Sequence, residues 1–197
     1  LGFNIDLENV KFKYPNQNNY ILNNISFKVK SGEKIMITGP NGSGKSTLLN
    51  VMAGLYEKTE GKILFNDLPI SNFSSESLKE VIGEYLNDQQ LFNGSIYENI
   101  VIDRVIKKEN LNWVLENLGL TDYIKNLNEG IHTVIGPSGI KVQRSNIQKL
   151  LLARILVTKP KLLLIEDPLD NLDRADRKKV LNFLTDRKND WTLVAIS

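Results

Sequence analysis

The run Gly39-Pro40-Asn41-Gly42-Ser43-Gly44-Lys45-Ser46-Thr47 constrains this chain more than any other stretch. It fits GxxxxGK(S/T), follows the strand-like Lys34–Thr38 and opens Lys45–Leu55, where Leu48, Leu49, Val51, Met52 and Leu55 recur at helical spacing. Strand, glycine loop and helix in that order form a cradle for phosphate. Glycines let the backbone N–H groups from Gly39 through Asn41, Gly42, Ser43 and Gly44 to Thr47 curl around phosphate oxygens, and the helix N-terminus adds partial positive charge. Lys45 brings a full charge, and the Ser46 hydroxyl is a ligand type for Mg²⁺. The competing reading, a glycine turn that merely caps a helix, carries little weight once strand and helix flank the motif. Nucleotide binding follows, but kinases, GTPases and transport motors share such a loop, so the rest of the chain must choose among them.

At 197 residues the chain fits one domain with a well-buried core. A net charge of +2 with 24% charged residues of mixed sign leaves no basic stripe, so nucleic acid is not an expected partner. Without cysteine there is no disulfide, thiolate nucleophile or Cys-ligated zinc, and a reducing compartment is the default expectation. There is no run of 18 or more apolar residues, and the opening LGFNIDLENV lacks the basic and apolar regions of a secretion signal. The chain is expected neither to span a membrane nor to be exported. It begins without Met and stops directly after Trp191–Ile196, so both ends read as cut from something longer.

Alternation and β-branched content predict strands at Ile5–Phe12, Ile25–Val29, Lys34–Thr38, Lys62–Phe65 and Val81–Leu86. Helical patterns follow at Ile96–Ile100, Leu111–Leu118 and Asn146–Val157. Strands return at Leu162–Ile165 and Thr192–Ile196, separated by the charged helix candidate Arg174–Arg187, which restores the alternation of a parallel sheet. The expected organisation is an α/β core at 1–86 and 159–197 with a helical subdomain at 87–158.

Further segments lie in a telling order: Val10-Lys-Phe-Lys-Tyr14-Pro15; Leu91-Phe-Asn-Gly-Ser-Ile-Tyr-Glu-Asn-Ile100; Gly136-Pro-Ser-Gly139; Lys161-Leu-Leu-Leu-Ile-Glu166-Asp167-Pro168; and Leu172-Asp173. Together with the phosphate loop they resemble the nucleotide-binding domain of ABC exporters over almost the whole chain. The resemblance implies a P-loop NTPase core with a mixed or parallel sheet, an N-terminal antiparallel β portion and an inserted helical subdomain. It implies ATP and Mg²⁺ as cofactors, and as partners a transmembrane domain of the same transporter and a second nucleotide-binding domain, in a homodimer or heterodimer. The expected location is the cytoplasmic face of the cell membrane. Tyr14 matches the aromatic residue that stacks on adenine, against the plainer reading of an ordinary strand-end tyrosine. Glu166 and Asp167 match the carboxylates for the Mg²⁺ shell and for activating water, and Asn87 falls on the switch glutamine that reaches nucleotide and metal.

Departures from the family pattern concern catalysis. Family members carry Asp and then Glu where this chain has Glu166 and then Asp167. One methylene withdraws a carboxylate by ~1.5 Å, and general-base positioning is worth roughly 10²–10⁴ in rate. The signature Leu-Ser-Gly-Gly-Gln aligns, by its spacing before Ala153-Arg154, onto Val142-Gln143-Arg144-Ser145-Asn146. In the family that segment opens a helix and offers serine and glycine N–H groups to the phosphate held by a partner. Arg144 reads either as a charge replacing the lost donors or, preferably, as a surface arginine at a helix start. The family's switch histidine would follow Ser197, and His132, in the helical insert, does not match it. The expected function is an ATP-binding and ATP-hydrolysing motor of an exporter with impaired turnover; the alternative is a nucleotide-switched half with little or no turnover.

Overall fold

The computed structural model describes residues 2–86, 89–136, 139–166, 169 and 172–197. They fall into two compact units, one of Leu1–Leu86, Pro160–Asp167 and Arg187–Ser197, the other of Asn87–Lys159 and Pro168–Asp186.

The first unit carries two four-stranded sheets. Strands β1 (Ile5–Phe12) and β2 (Leu22–Val29) precede β3 (Lys34–Ile37) and helix α1 (Lys45–Met52); β4 (Glu60–Phe65) and β5 (Leu68–Pro69) follow. β2-β1-β4-β5 form the antiparallel sheet. In β1 the buried residues are Ile5, Leu7, Val10 and Phe12, so strict alternation fails once, between Leu7 and Val10. A register shift at that point, with Asn9 at φ 50°, absorbs the extra residue and returns Val10 and Phe12 to the core face. Gly61 of β4 lies against this bulge at φ +86°, and a Cβ there would stand 2.4 Å from the Asn9 carbonyl oxygen.

Helix α2 (Ser75–Val81) runs into β6 (Ile82–Tyr85), which with β9 (Leu162–Glu166) and β10 (Thr192–Ile196) completes the second sheet, ordered β3-β10-β9-β6 and parallel throughout. Every residue of β9 and β10 is buried. That explains their unbroken apolar runs, since a parallel strand covered on both faces needs no polar side. Leu48, Leu49, Val51 and Met52 of α1 share one core with Ile63 and Phe65 of the antiparallel sheet and with Leu162, Leu164, Val194 and Ile196 of the parallel one.

The second unit is mainly helical: α3 (Ile96–Val101), α4 (Lys108–Asn117), α5 (Thr121–Lys125), α6 (Arg144–Leu156) and α7 (Arg174–Thr185), with a two-residue pairing of β7 (Gly94–Ser95) and β8 (Val134–Ile135). Ser95 and Glu98 start α3 as a reciprocal capping box. A buried Lys149 pairs with Asp176 at 2.6 Å and ties α6 to α7, while the Trp113 and Phe183 rings meet edge to face at 5.1 Å between α4 and α7. Among the described residues no helix is long and apolar enough to cross a membrane.

Among the departures of the elements from the sequence expectation, four have a plain physical reason. α7 packs with the helical unit, through Val180, Phe183, Leu184 and Asp176, and not with the α/β core in which 159–197 was expected. α6 begins at Arg144, ahead of the apolar pattern expected to start at Asn146, because the first turn of a helix need not be apolar. α1 stops at Met52, since Gly54 turns the chain at φ 76° before Leu55 can extend it. α2 went unread: its Ser74 cap and Glu76 are ordinary start signals, but Leu78 is its only buried residue, so no stripe announced it.

Gly61→Ala should therefore destabilise the chain by about 2 kcal/mol or more, from left-handed backbone strain together with the clash at the bulge. Urea unfolding at unchanged m-value checks this, with the exposed neighbour Lys62→Ala expected to shift stability by less than about 0.5 kcal/mol.

Candidate functional site

Backbone register builds the site. Ile37, at the end of β3, is level with Ile196 of β10, which is level with Glu166 of β9. The C-terminal ends of the three parallel strands thus form one rim, with the phosphate loop leaving β3 and Glu166 two strands away, roughly 10 Å at 4.8 Å per strand. Ligands of open parallel sheets sit at such a rim. α1 then crosses back toward β9, and the Ser46 hydroxyl donates a hydrogen bond to Glu166 Oε1. Glu166 is only 6% exposed, so this carboxylate is held inside the fold with its oxygen on the hydroxyl at the head of α1.

The loop has the backbone that its glycines imply. Gly42 and Gly44 stand at φ +79° and +90°, and Gly44 is the N-cap of α1. A Cβ on Gly44 would meet the Ile21 carbonyl oxygen at 3.1 Å and Leu22 at 3.2 Å, so the position excludes a side chain on two counts. Lys45 Nζ donates to the carbonyls of Gly39 at 2.8 Å and Pro40 at 3.1 Å, which poises its charge over the loop. Asn41, Gly42 and Ser43 are exposed, and Thr47 is buried behind them.

Tyr14 is joined to this loop in a way the sequence did not disclose. Its hydroxyl lies 3.0 Å from Thr47 Oγ1, and its half-buried ring stands edge-on to Phe12 at 5.1 Å and to Tyr56 at 5.8 Å. Phe12 and Tyr56 stack nearly parallel, 5.5 Å apart. The aromatic residue read as a base contact and a phosphate-loop hydroxyl are therefore one connected pair. Tyr56, in the turn after α1, is a partly exposed second aromatic beside it; no pattern in the sequence singled it out.

The donor set fits a magnesium nucleotide. Backbone N–H groups of the loop and the Lys45 ammonium are donor types that a phosphate takes, and the Ser46 hydroxyl with the Glu166 carboxylate would supply hard oxygens of the kind that Mg²⁺ takes alongside phosphate. Of the remaining expected residues, Asn87 and Asp167 lie outside the described residues. In the second unit the segment aligned with the signature forms the start of α6: Gln143 is its N-cap, makes no side-chain cap, and Arg144 is exposed. His132 closes a short 3-10 turn near the Tyr97 ring, at 5.9 Å.

The family model described as ABC transporter matches residues 22–170, which include the loop, Glu166 and the whole of the intervening helical segment. The chain belongs to the ABC transporter family. It is 33% identical over 188 residues to the mitochondrial iron-sulfur clusters transporter ATM1 of Candida glabrata, covering 95% of this chain and 25% of that protein. With the multidrug resistance-like ATP-binding protein MdlB of Buchnera aphidicola it shares 31% identity over 193 residues, covering 98% of this chain and 33% of MdlB. The solved structure of a bacterial Atm1-family ABC exporter with ATP bound superposes with a TM-score of 0.91 at 28% identity, over 100% of this chain and 35% of that one. The chain thus spans about a quarter to a third of the proteins it matches. This ABC domain is a nucleotide-binding domain of the exporter type, with the expected P-loop fold of antiparallel and parallel sheets plus helices.

Gly44→Ala should lower ATP affinity about tenfold, since roughly 1–2 kcal/mol of left-handed strain would be relieved by moving the loop. Titration with a fluorescent ATP analogue measures it.

Proposed function

We propose that this ABC domain binds Mg-ATP in the loop Gly39–Thr47 and serves as the motor of an exporter at the cytoplasmic face of the membrane. ATP binding would close it on a second nucleotide-binding domain, and hydrolysis would reopen the pair to drive an attached transmembrane domain. The observation that carries the reading is the Ser46–Glu166 hydrogen bond beneath an intact phosphate loop at the rim of a parallel sheet. In this proposal the loop N–H groups and Lys45 hold the phosphates, and Ser46 with Glu166 hold Mg²⁺. Tyr14 offers its ring to the base, Asn87 occupies the switch position, and Asp167 orients water. When bound, Mg²⁺ neutralises charge on the transferred phosphate and its leaving group.

Two observations favour slow turnover within this role. Glu166, longer by a methylene than the family's aspartate at its position, already reaches the Ser46 hydroxyl, and the residue left to orient water is the shorter Asp167. At the head of α6, Arg144 and Ser145 occupy the first helical positions, where the family presents glycine N–H groups to a partner's phosphate, and side chains there would hinder so close an approach. In a head-to-tail sandwich the first substitution acts on this chain's own site and the second on its partner's.

Steady-state ATPase rates of the full-length parent test the proposal, with Lys45→Ala as the control expected to lose both binding and turnover. Exchanging the carboxylates, Glu166→Asp with Asp167→Glu, should raise homodimer turnover by no more than about tenfold; restoring Ser, Gly and Gly at 143–145 as well should bring about a hundredfold or more. Unmodified full-length protein turning over as fast as an exporter with intact motifs would sink the slow-turnover part and leave the motor reading. Lys45→Ala with wild-type ATP affinity would sink both.

A further inference from the structure

We infer that Thr47 is a positioning residue for the base: its hydroxyl pins the Tyr14 ring, so that the platform for the base and the cradle for the phosphates share one rigid residue. The inference rests on the reading of Tyr14 as the base contact.

A tyrosine held at its Cα keeps two freedoms, χ1, which swings the ring, and χ2, which turns its plane. Backbone bonds around Tyr14 fix its Cα. Lys11 O accepts from Thr59 N at 2.8 Å, Phe12 O from Ile21 N at 2.8 Å and Tyr14 O from Gln17 N at 3.1 Å. Glu60 clamps the same stretch, accepting from Lys11 Nζ at 2.8 Å and from the Tyr20 hydroxyl at 2.7 Å. The swing is stopped by Thr47, whose Oγ1 lies 3.0 Å from the Tyr14 hydroxyl, at the far end of the ring. The plane is set by two neighbours: Phe12 and Tyr56 lie within 7° of parallel to each other, and both stand close to perpendicular to Tyr14, at 84° and 77°. Both freedoms are thus taken up by the chain's own contacts. A ring held in this way gives up less motion when a base stacks on it, and such preorganisation adds to affinity.

Thr47 suits the task because it faces two ways. It is the third residue of α1, and the N–H groups of a helix's first turn have no partner within the helix and can face a phosphate at its head. The hydroxyl is turned to Tyr14 instead, and with Thr47 only 6% exposed water competes poorly for that bond. A β-branched side chain has few χ1 choices in a helix, which makes it a stiff anchor. One residue therefore sets the distance from base platform to phosphate cradle, and the site reads base and phosphate together. If Thr47 served phosphate with its hydroxyl instead, removing that hydroxyl would weaken every triphosphate alike, with or without a base.

Calorimetric titration of the full-length parent with Mg-ATP and with Mg-tripolyphosphate, which lacks the nucleoside, tests this, because the ratio of the two dissociation constants reads the nucleoside side of the site. Thr47→Val keeps the shape and removes the hydroxyl; it should cut the preference for ATP about threefold to tenfold. Thr47→Ser keeps the hydroxyl and should cut it by less than about twofold. Tyr14→Phe keeps the ring and should match Thr47→Val. Because both act through one bond, the double variant Tyr14→Phe with Thr47→Val should lose no more than about twofold beyond either single change. Equal weakening of ATP and tripolyphosphate by Thr47→Val overturns the inference, as do single losses that multiply in the double variant, or a wild-type preference in Thr47→Val. Where Thr47→Val does not fold, Tyr14→Phe alone decides, and a wild-type preference in it overturns the inference. Undiminished preference for ATP in Tyr14→Ala would overturn the base-contact reading itself.

Discussion

Backbone pairing of β10 with β3 on one side and β9 on the other sets everything that follows at the nucleotide site. Because Ile37, Ile196 and Glu166 are in register, the loop that leaves β3 and the carboxylate that ends β9 emerge on one rim, within reach of the hydroxyl that opens α1. A slip of one residue in β9 would turn Glu166 to the opposite face of the sheet. Because β9 and β10 are apolar and buried on both faces, what opposes such a slip is the polar end of β9, since Glu166 meets Ser46 in this register.

The two units use polar groups in opposite ways. In the α/β unit the polar groups of the site gather at the rim, where the loop is exposed and Glu166 and Thr47 are withdrawn behind it. In the helical unit they sit inside, where Asn99 and Lys149 are buried and each is matched by a specific partner. A short helical unit with small apolar faces gains definition from such bonds, since each buried polar group accepts only one arrangement of its neighbours. α7 belongs to this unit for the same reason, held by Asp176 and Phe183.

The substitutions at Glu166, Asp167 and Val142–Asn146 leave Gly39–Thr47 unchanged and fall on positions that, in the proposed reading, serve Mg²⁺ and the terminal phosphate. Binding draws on a loop backbone and two side chains that are all present, Lys45 and Ser46. Turnover depends on placing a carboxylate and a helix head to within a fraction of an ångström, which a change of one methylene or one glycine disturbs.

Much of this was legible in the residues. The loop is local, so its glycines, lysine and serine declare their backbone and chemistry without reference to anything distant, and the strands at Ile5–Phe12 and Thr192–Ile196 follow from alternation and from an apolar run. Asn99 left a trace, an asparagine on the apolar face of Ile96 and Ile100, but nothing in sequence could name Arg154, on a different helix, as its partner. Nor could it seat the Tyr14 hydroxyl on Thr47, bring Tyr56 beside them, or assign α7 to the helical unit. Sequence by itself determined the local conformations and the kind of chemistry each motif carries, because those depend on neighbours along the chain. Which side chains meet was decided by tertiary structure alone, because register between strands and packing between helices bring together residues whose separation along the chain carries no periodic signal.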